Sequence, residues 1–275
     1  MPKQITGSGE SVINSDMEHL AHSYSNTPSV NRSIPWIFVA LVFVGISGCN
    51  KENAPDCFQS AGEETTVRRA LDEFSEIELH DYVFIELYDS TERSIEITGP
   101  RNLLNDIVTD VRDHRLEIRN DNTCNWVRSF KHRITVRIYA PSFDRIENFG
   151  TGDITSINPL HQPVFELDNR HAAGLVHLHL EVDTARIRTH TGVADVLLTG
   201  NADVAEYFEQ GYGWIDARNF HAQQAYANNS SVNNIYLDAS QYFFGVLYFS
   251  GNIYYGGNPL QVDSDVQGSG QIAPL

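Results

Sequence analysis

The sequence predicts an all-β protein whose C-terminal half is a β-solenoid with coils of about 20 residues. Two observations carry this prediction. Short segments alternate apolar and polar residues, and a motif made of a small residue, a variable residue and an Ile or Val recurs through the second half of the chain. The length of 275 residues, with 41% hydrophobic and 11% aromatic residues, is sufficient for an enclosed core.

The N-terminal segment predicts export. Its apolar run, Trp36–Ser47, is 12 residues long, which is too short to span a bilayer but fits the apolar region of a signal peptide. The run leads into "ISGC", which resembles a bacterial lipobox in which Cys49 receives diacylglycerol. We therefore expect residues 1–48 to be a lipoprotein signal peptide, with membrane attachment through Cys49. A plain export signal is the alternative, and either Met1 or Met17 could be the start.

Residues 49–66 are predicted to form a tether, and two cysteines remain after lipidation of Cys49. Cys57 and Cys124 are an even pair in a chain exported to an oxidising compartment. A disulfide between them would close a loop of 124 − 57 = 67 residues. By loop entropy it would stabilise the fold by about 4 kcal/mol. Two free thiols are the alternative.

Residues 67–141 are predicted to be an N-terminal β-rich part stacked on the solenoid. The segments "YVFIELY", "SIEIT", "RLEIR" and "ITVRIYA" alternate with period two, as expected for strands that bury one face. Between them, residues 102–111 place Leu103, Leu104 and Ile107 at helical spacing. We expect a short helix or a capping segment there.

Residues 142–275 carry the repeated motif. Its aliphatic positions are spaced by 22, 20, 19, 20, 18 and 19 residues: Ile154, Val176, Val196, Ile215, Ile235, Ile253 and Ile272. Because side chains two apart on a strand share a face, the aliphatic and the small residue before it should point inward, and the variable residue between them outward. Stacked coils would then form one aliphatic column. An antiparallel β-sandwich is the competing fold.

The small residue of the motif is Gly, Ala or Asn, for example Gly152 in "FGTGDITS". Such residues suit a corner where the backbone turns close to the core. Two residues after each aliphatic position we expect a second inward residue. Leu178, Leu198 and Leu237 fit this expectation, whereas the terminal coils depart from it.

Several segments together resemble one known family. They are the lipobox, "DCFQSAG", "FSEIEL", "NLL" followed by "RLEIRN", "TCNWVRS", "GTGDI", "GNIYYGGNP" and "GSGQI". In this order they are similar to the GIN domain, the head domain described for auto-transporter adhesins, over about residues 57–272. The resemblance implies a right-handed parallel β-helix, an envelope lipoprotein, and no enzymatic activity or catalytic residues.

The charge balance limits the partners. With 36 acidic and 19 basic residues the formal net charge is −17. Such a protein repels phosphate backbones, so we expect no nucleic-acid partner. Asn50, following Cys49, resembles the sorting signal of outer-membrane lipoproteins, and leaves open whether the protein faces the periplasm or the outside.

Two small clusters contain side chains that are capable of chemistry. Asp195 and Asp216 lie on outward positions of successive coils and could form a carboxylate pair. His177 and His179 share an outward strand face and could hold a transition metal if a third ligand approached. We expect both clusters to be ordinary exposed polar residues, with no catalytic residue, metal or cofactor.

An aromatic stripe is the strongest candidate for a binding site. It consists of outward residues on neighbouring coils: Trp214, Asn234, Tyr236, Asn252 and Tyr254. Exposed aromatic rings beside amides can bind sugars or another protein. The alternative is an aromatic ladder that stabilises its own stack. The nearby Phe243, Phe244 and Phe249 are expected to cover the core or protect the open end.

These observations predict a non-enzymatic cell-envelope lipoprotein that binds a glycan, another polymer or a protein through one solenoid face. Two alternatives remain open. A carbohydrate-active β-helix enzyme, a lyase or glycosidase, would be favoured by a groove lined with paired carboxylates. An envelope assembly or signalling factor would be revealed by its partners.

Overall fold

A computed structural model describes residues 60–123 and 132–275. The predicted signal peptide, the lipidation site Cys49 and the cysteines Cys57 and Cys124 lie outside these residues and stay predictions. The strands are β1 Glu64–Ala70, β2 Glu76–Leu79, β3 Phe84–Asp89, β4 Ser94–Pro100, β5 Ile107–Arg112, β6 Arg115–Asn120, β7 Thr135–Ala140, β8 Arg145–Asn148, β9 Ile154–Ser156, β10 Leu160–Asn169, β11 Leu175–Thr189, β12 Asp195–Glu209, β13 Ile215–Asn229, β14 Ile235–Leu247, β15 Ile253–Gly256, β16 Gln261–Val266 and β17 Ile272–Pro274.

Strands of successive coils stack in parallel. β10 to β14 pair in chain order, and every residue of β11 except Asp183 pairs with the residue 20 positions later in β12. The long strands continue from one side of the coil to the next. β14, for example, pairs with β15 through Ile235–Asp238 and with β16 through Tyr242–Leu247. The predicted β-solenoid is confirmed. The alternative of an antiparallel sandwich is wrong for these coils, because their strands pair in parallel.

The first coils do not follow chain order. β2 pairs in parallel with β6 on one side and with β8 on the other, and β3 pairs likewise with β7 and β9. The coil made by β2 and β3 therefore lies between two coils that come later in the chain. Strands from residues 67–141 thus belong to the same parallel ladders as the later coils, while the boundary placed after residue 141 stays a prediction.

Antiparallel strands adjoin the coil formed by β6 and β7. β4 pairs with both β1 and β7, and β5 pairs with β6. The expected helix over residues 102–111 is wrong in its second half, because a 3-10 helix spans Arg101–Asp106 and Ile107 begins β5. Pairing with β6 provides partners for the backbone groups of this segment and outweighs its helical spacing. Within the described ranges, no helix has the length and apolarity to cross a membrane.

The predicted aliphatic column is confirmed. Its members pair in register from coil to coil, and all are fully buried except the last, which is half-buried: Ile154, Val176, Val196, Ile215, Ile235, Ile253 and Ile272. The column extends further than the motif indicated, because Ile85 pairs with Ile154 and Val136 pairs with Ile85. Burying each such side chain contributes about 1.5–3 kcal/mol to folding.

The backbone of the preceding coil explains the glycines of the motif. A Cβ atom on Gly213 would lie 1.9 Å from the carbonyl oxygen of Ala194, and one on Gly251 would lie 2.0 Å from the carbonyl oxygen of Asn233. These two corners are therefore too close for any side chain. Ala194 and Asn233 hold the equivalent position in their own coils and do carry a side chain. The distance to the preceding coil therefore differs from one corner to another.

The variable residue of the motif faces outward and, in four coils, also binds the next coil. Its side-chain oxygen accepts a hydrogen bond from a backbone N–H: Leu175 to Asp153 at 2.9 Å, Trp214 to Asp195 at 3.2 Å, Asn252 to Asn234 at 3.0 Å and Gln271 to Asn252 at 2.9 Å. These residues were expected only to face water. They also satisfy backbone donors at a corner, where the regular ladder is interrupted.

A second internal column is polar. It runs in register through one corner, and its members are at most 3% exposed: Asn148, Asn169, Thr189, Glu209 and Asn229. Asn148 donates to Asn169 at 2.9 Å, and the Thr189 hydroxyl donates to Glu209. Burial raises the pKa of Glu209 to about 7, and the hydrogen bond from Thr189 opposes this rise only in part.

Candidate functional site

The aromatic stripe lies outside the inner aliphatic column. Tyr236 and Tyr254 each follow a column residue and pair in register on adjacent coils. Trp214 precedes the column residue Ile215, and all three aromatic side chains are half-buried on the outer surface. The alternation of β13, β14 and β15 about the column therefore sets the outward direction of these rings.

The two tyrosines use their ring faces within the protein. Their centroids are 5.3 Å apart and the rings are inclined by 16°, which is a stacked arrangement. The guanidinium of Arg218, from the preceding coil, lies 5.0 Å from the centroid of Tyr236. Tyr236 thus has a cation on one side and a phenol ring on the other, and it offers a ligand mainly its edge and hydroxyl. This part of the stripe is an aromatic ladder.

The amides of the stripe are hydrogen-bonded to one another and to the rings. Asn234 donates to the Tyr236 hydroxyl at 3.0 Å, and Asn252 donates to the side-chain oxygen of Asn234 at 3.0 Å. The backbone N–H of Gln271 continues the ladder by donating to Asn252 at 2.9 Å. These contacts fix the side-chain orientations before any ligand arrives.

An open hollow of 330 Å³ lies at one end of the stripe. Six side chains or their backbones line it: Trp214, Asp216, Arg218, Asn233, Asn234 and Tyr236. We call it the stripe hollow. It brings together three of the five predicted residues and leaves out Asn252 and Tyr254, which stand one coil further on. Of the two aromatic side chains in this hollow, Tyr236 stacks on Tyr254, whereas Trp214 stacks on no other ring of the described residues.

The stripe hollow contains one acidic and one basic side chain, and they form an ion pair. Arg218 donates to Asp216 through Nε at 2.9 Å and through Nη2 at 2.5 Å. This hydrogen bond lowers the pKa of Asp216 below its ordinary value and outweighs the opposing effect of burial. The pair therefore stays ionised over the physiological range, so the hollow offers a carboxylate acceptor, guanidinium donors and amide groups beside an indole ring.

Sequence reasoning missed Arg218 and Asn233 as members of the site. Asp216 was considered only as one of a catalytic pair. All three lie close in sequence to predicted stripe residues, and Asp216 is two positions from Trp214, on the same strand face. Extending the outward set by this period-two rule would have found Asp216, whereas Arg218 and Asn233 depend on the conformation of the corner.

Three of the four residues in the carboxylate and histidine pairs contact other parts of the chain. Asp195 accepts the backbone N–H of Trp214, and Asp216 is paired with Arg218. His179 lies 3.3 Å from Glu181, and its backbone N–H donates to the Ser156 hydroxyl. Among residues 60–123 and 132–275, no three His, Cys, Asp or Glu side chains are grouped so that they could hold a metal ion.

A larger open groove of 560 Å³ lies at another corner and was not predicted. Its carboxylates are Glu181, Asp183, Asp203 and Asp238. Neighbouring side chains bind three of them: Asn201 donates to Glu181 at 3.0 Å, Gln223 donates to Asp203 at 2.6 Å, and His221 lies 2.9 Å from Asp238. The hydrogen bond from Asn201 is the main cause that lowers the pKa of Glu181. A general acid of a glycosidase requires the opposite shift.

Solved structures share this fold. A crystal structure of a "putative adhesin" from Bacteroides fragilis NCTC 9343 is 26% identical, with a TM-score of 0.72, over 78% of this chain and 97% of that chain. A "putative adhesin" from Parabacteroides merdae ATCC 43184 is 18% identical, with a TM-score of 0.61, over 78% of this chain and 98% of that chain. A "putative lipid binding protein" from Parabacteroides distasonis ATCC 8503 is 18% identical, with a TM-score of 0.59, over 78% and 97%.

No curated protein matches the chain. One family does match it, over residues 73–259, and that family is described as "Putative auto-transporter adhesin, head GIN domain". The matched range includes the interleaved first coils, the motif-bearing coils and all six residues of the stripe hollow. The resemblance noted in the sequence is thereby confirmed: the chain belongs to the GIN domain family of auto-transporter adhesin heads.

Proposed function

We propose that this protein is a non-enzymatic adhesive protein of the cell envelope, anchored by lipid at Cys49, that binds a glycan through the stripe hollow. One observation carries the proposal: Trp214 lies beside five hydrogen-bonding side chains in an open hollow of 330 Å³. Membership of an adhesin family and similarity to a 26% identical adhesin structure support the adhesive role.

The chemistry of the stripe hollow suits a sugar better than an apolar ligand. A pyranose ring has an apolar C–H face, which packs on an indole ring, and a rim of hydroxyl groups, which need donors and acceptors. Asp216 and Arg218 provide an acceptor and donors already fixed by their mutual hydrogen bonds. One structural relative is described as a lipid-binding protein, but an acyl chain offers no hydrogen-bond partner to the polar side chains that line this hollow.

The enzyme alternative has weaker support. The corner groove does hold several carboxylates, which is the feature that would favour a glycosidase or lyase. However, the pKa of Glu181 is lowered rather than raised, and two of the other carboxylates are engaged by Gln223 and His221. We therefore propose binding without chemical conversion. Recovery of an intact glycan after prolonged incubation with the protein is expected.

A glycan array tests the proposal. The purified full-length chain should bind one group of glycans, and Trp214→Ala should reduce this signal at least tenfold because it removes the ring that packs on the sugar. Tyr254→Ala is the matched control, since Tyr254 is an aromatic residue of the same stripe outside the hollow. Thermal unfolding of each variant checks the fold.

Equal array signals from the wild-type chain and Trp214→Ala would contradict glycan binding at the stripe hollow. An array on which the folded wild-type chain binds nothing would also contradict it, and would favour a protein partner for the same surface. Loss of signal in Tyr254→Ala but not in Trp214→Ala would move the site to the tyrosine ladder.

A further inference from the structure

A second hollow lies on a different face of the solenoid. We call it the face hollow and define it by five outward side chains: Phe208, Tyr226, Asn228, Phe244 and Val246. Its volume is 440 Å³. The residues come from three stacked strands, β12, β13 and β14, in which Phe208 pairs with Asn228 and Asn228 with Val246, while Tyr226 pairs with Phe244.

The aromatic side chains of the face hollow are not part of the core. The residues that alternate with them along the strands fill the interior: Tyr207, Ala227 and Phe243 are at most 3% exposed. Tyr226, by contrast, is 36% exposed, and Phe208 and Phe244 are half-buried. Of the two roles expected for Phe244, covering the core is wrong, because this residue alternates with the buried Phe243 and faces outward. Apolar rings that point outward as a group are characteristic of binding surfaces.

The hollow begins where a ladder of charges ends. On the preceding coils the same outward column alternates in sign: Arg186 contacts Glu166 at 2.8 Å and Glu206 at 3.3 Å. The next two members of this column are Tyr226 and Phe244. Paired charges therefore give way to aromatic rings on one continuous sheet face. Only the outward side chains change in this way, since the inward residues of the same strands remain apolar or small.

Polar groups surround the rings. Asn228 stands between Phe208 and Val246, and Glu206 and Arg188 line the side toward the charge ladder. Arg188 also lies 3.6 Å from Glu166 and 3.9 Å from Asp168, so its charge is already matched. On the opposite side, Asp263 and Asp265 of β16 pair with Phe244 and Val246. Their hydrogen-bond partners are the neutral Tyr242, Gln261 and Gln267, so this side is acidic.

We infer that the face hollow binds a pyranose ring of a neutral glycan. The aromatic walls contact the C–H face of the ring, and Asn228 and Glu206 bind its hydroxyl groups. The carboxylates of Asp263 and Asp265 and the net charge of −17 disfavour sugars that carry carboxylate or sulfate groups. The face hollow shares no residue with the stripe hollow, so this inference does not depend on the proposed function.

Saturation-transfer NMR on the full-length chain tests the inference. The probes are maltohexaose and cellohexaose, which are neutral, and a hyaluronan hexasaccharide, which is anionic. Irradiation of the aromatic protons should transfer saturation to at least one neutral probe and more weakly to the anionic one. In a Trp214→Ala background, which removes any transfer at the stripe hollow, Phe244→Ala removes a wall and Asn228→Phe fills the face hollow without removing an aromatic contact. Each should reduce the remaining transfer at least tenfold.

Two further variants separate this site from others. Tyr212→Ala removes a 68% exposed ring outside both hollows and should leave the transfer unchanged. Trp214→Ala should abolish only the part that belongs to the stripe hollow. The inference is overturned if neither neutral probe receives saturation, if the anionic probe receives as much as the neutral ones, or if the folded Asn228→Phe variant binds like the wild-type chain. Transfer lost in Trp214→Ala alone would place all sugar binding at the stripe hollow and overturn it too.

Discussion

Gly213 lies where two coil corners approach closely, so adding a single Cβ atom there should destabilise the fold. Gly213→Ala would place this atom 1.9 Å from the carbonyl oxygen of Ala194. Because the obstacle is backbone, the coil has to shift. We expect a loss of about 3 kcal/mol in the free energy of unfolding, measured by urea denaturation.

Ala194→Gly is the matched control, since Ala194 holds the equivalent position in the neighbouring coil. It removes a buried methyl group and gives the unfolded backbone more conformational freedom. Together these effects should lower the free energy of unfolding by about 1 kcal/mol. If Gly213→Ala were as stable as the wild-type chain, the corner would be able to open, and the explanation of the recurring glycine would be wrong.

Glu209 predicts a pH dependence. Burial raises its pKa from 4.5 to about 7. The folded chain thus holds this proton more tightly than the unfolded chain. The contribution of Glu209 to stability is fully present below pH 4.5 and is lost as the pH rises through about 7. Glu209→Gln keeps the neutral state at every pH, so near pH 8 it should be more stable than the wild-type chain by on the order of 3 kcal/mol, with little difference near pH 5.

Urea denaturation at the two pH values measures this effect. Glu206→Gln is the control, because Glu206 lies on the same strand but faces outward and pairs with Arg186. It should not change the pH dependence. A difference between Glu209→Gln and the wild-type chain that is the same at both pH values would show that Glu209 does not titrate in the folded chain above its ordinary range.

At the level of elements, Arg115 joins three strands that are distant in sequence. It lies on β6 and contacts Glu76 and Glu78 of β2 at 2.9 and 2.8 Å, and Glu147 of β8 at 3.2 Å. These are the strands of the interleaved first coils. Because Arg115 is 37% exposed, each contact is weakened by solvent, but its removal leaves three carboxylates side by side.

Arg115→Met should therefore destabilise the fold by about 1 kcal/mol at low salt and by less at about 1 M salt, where the repulsion among the carboxylates is screened. Urea denaturation at both salt concentrations measures the difference. Arg68→Met is the control, since its contact with Glu92 is well exposed on both sides and should contribute little. A loss that did not depend on salt would show that Arg115 acts through packing of its aliphatic stem.

The elements also show which parts of the fold a sequence can reveal. The column from Ile154 to Ile253 could be predicted, because each coil repeats the same local pattern. The insertion of β2 and β3 between later strands could not. The alternation in "FIELY" shows that a strand has one buried face, but any coil with an apolar interior can pair with it.

The face hollow escaped prediction for a related reason. Phe208, Asn228 and Val246 share one column, yet they lie 12, 13 and 11 residues after their motif residues Val196, Ile215 and Ile235. Register shifts between β12 and β13, and between β13 and β14, cause this variation. A fixed number of residues counted from the motif therefore does not identify which residues are neighbours on the far side of the coil. The stripe lies next to the motif, so its outward residues could be identified.

For the whole molecule, the proposed adhesive role requires that the solenoid, held by the predicted lipid anchor, faces the outside of the cell. Protease added to intact cells of the native host should therefore cleave the protein, while a periplasmic control protein stays intact. Immunoblotting measures the cleavage. If the chain were protected until the outer membrane was opened, it would face the periplasm, and its proposed role as a surface adhesin would fail.

The proposed function depends on sugar binding at the stripe hollow. The most direct test is a calorimetric titration of the full-length wild-type chain and of Trp214→Ala with the glycan that the array selects. We expect the affinity of the variant to be at least tenfold weaker, with unchanged thermal unfolding. Equal affinities of the two folded chains would contradict the claim.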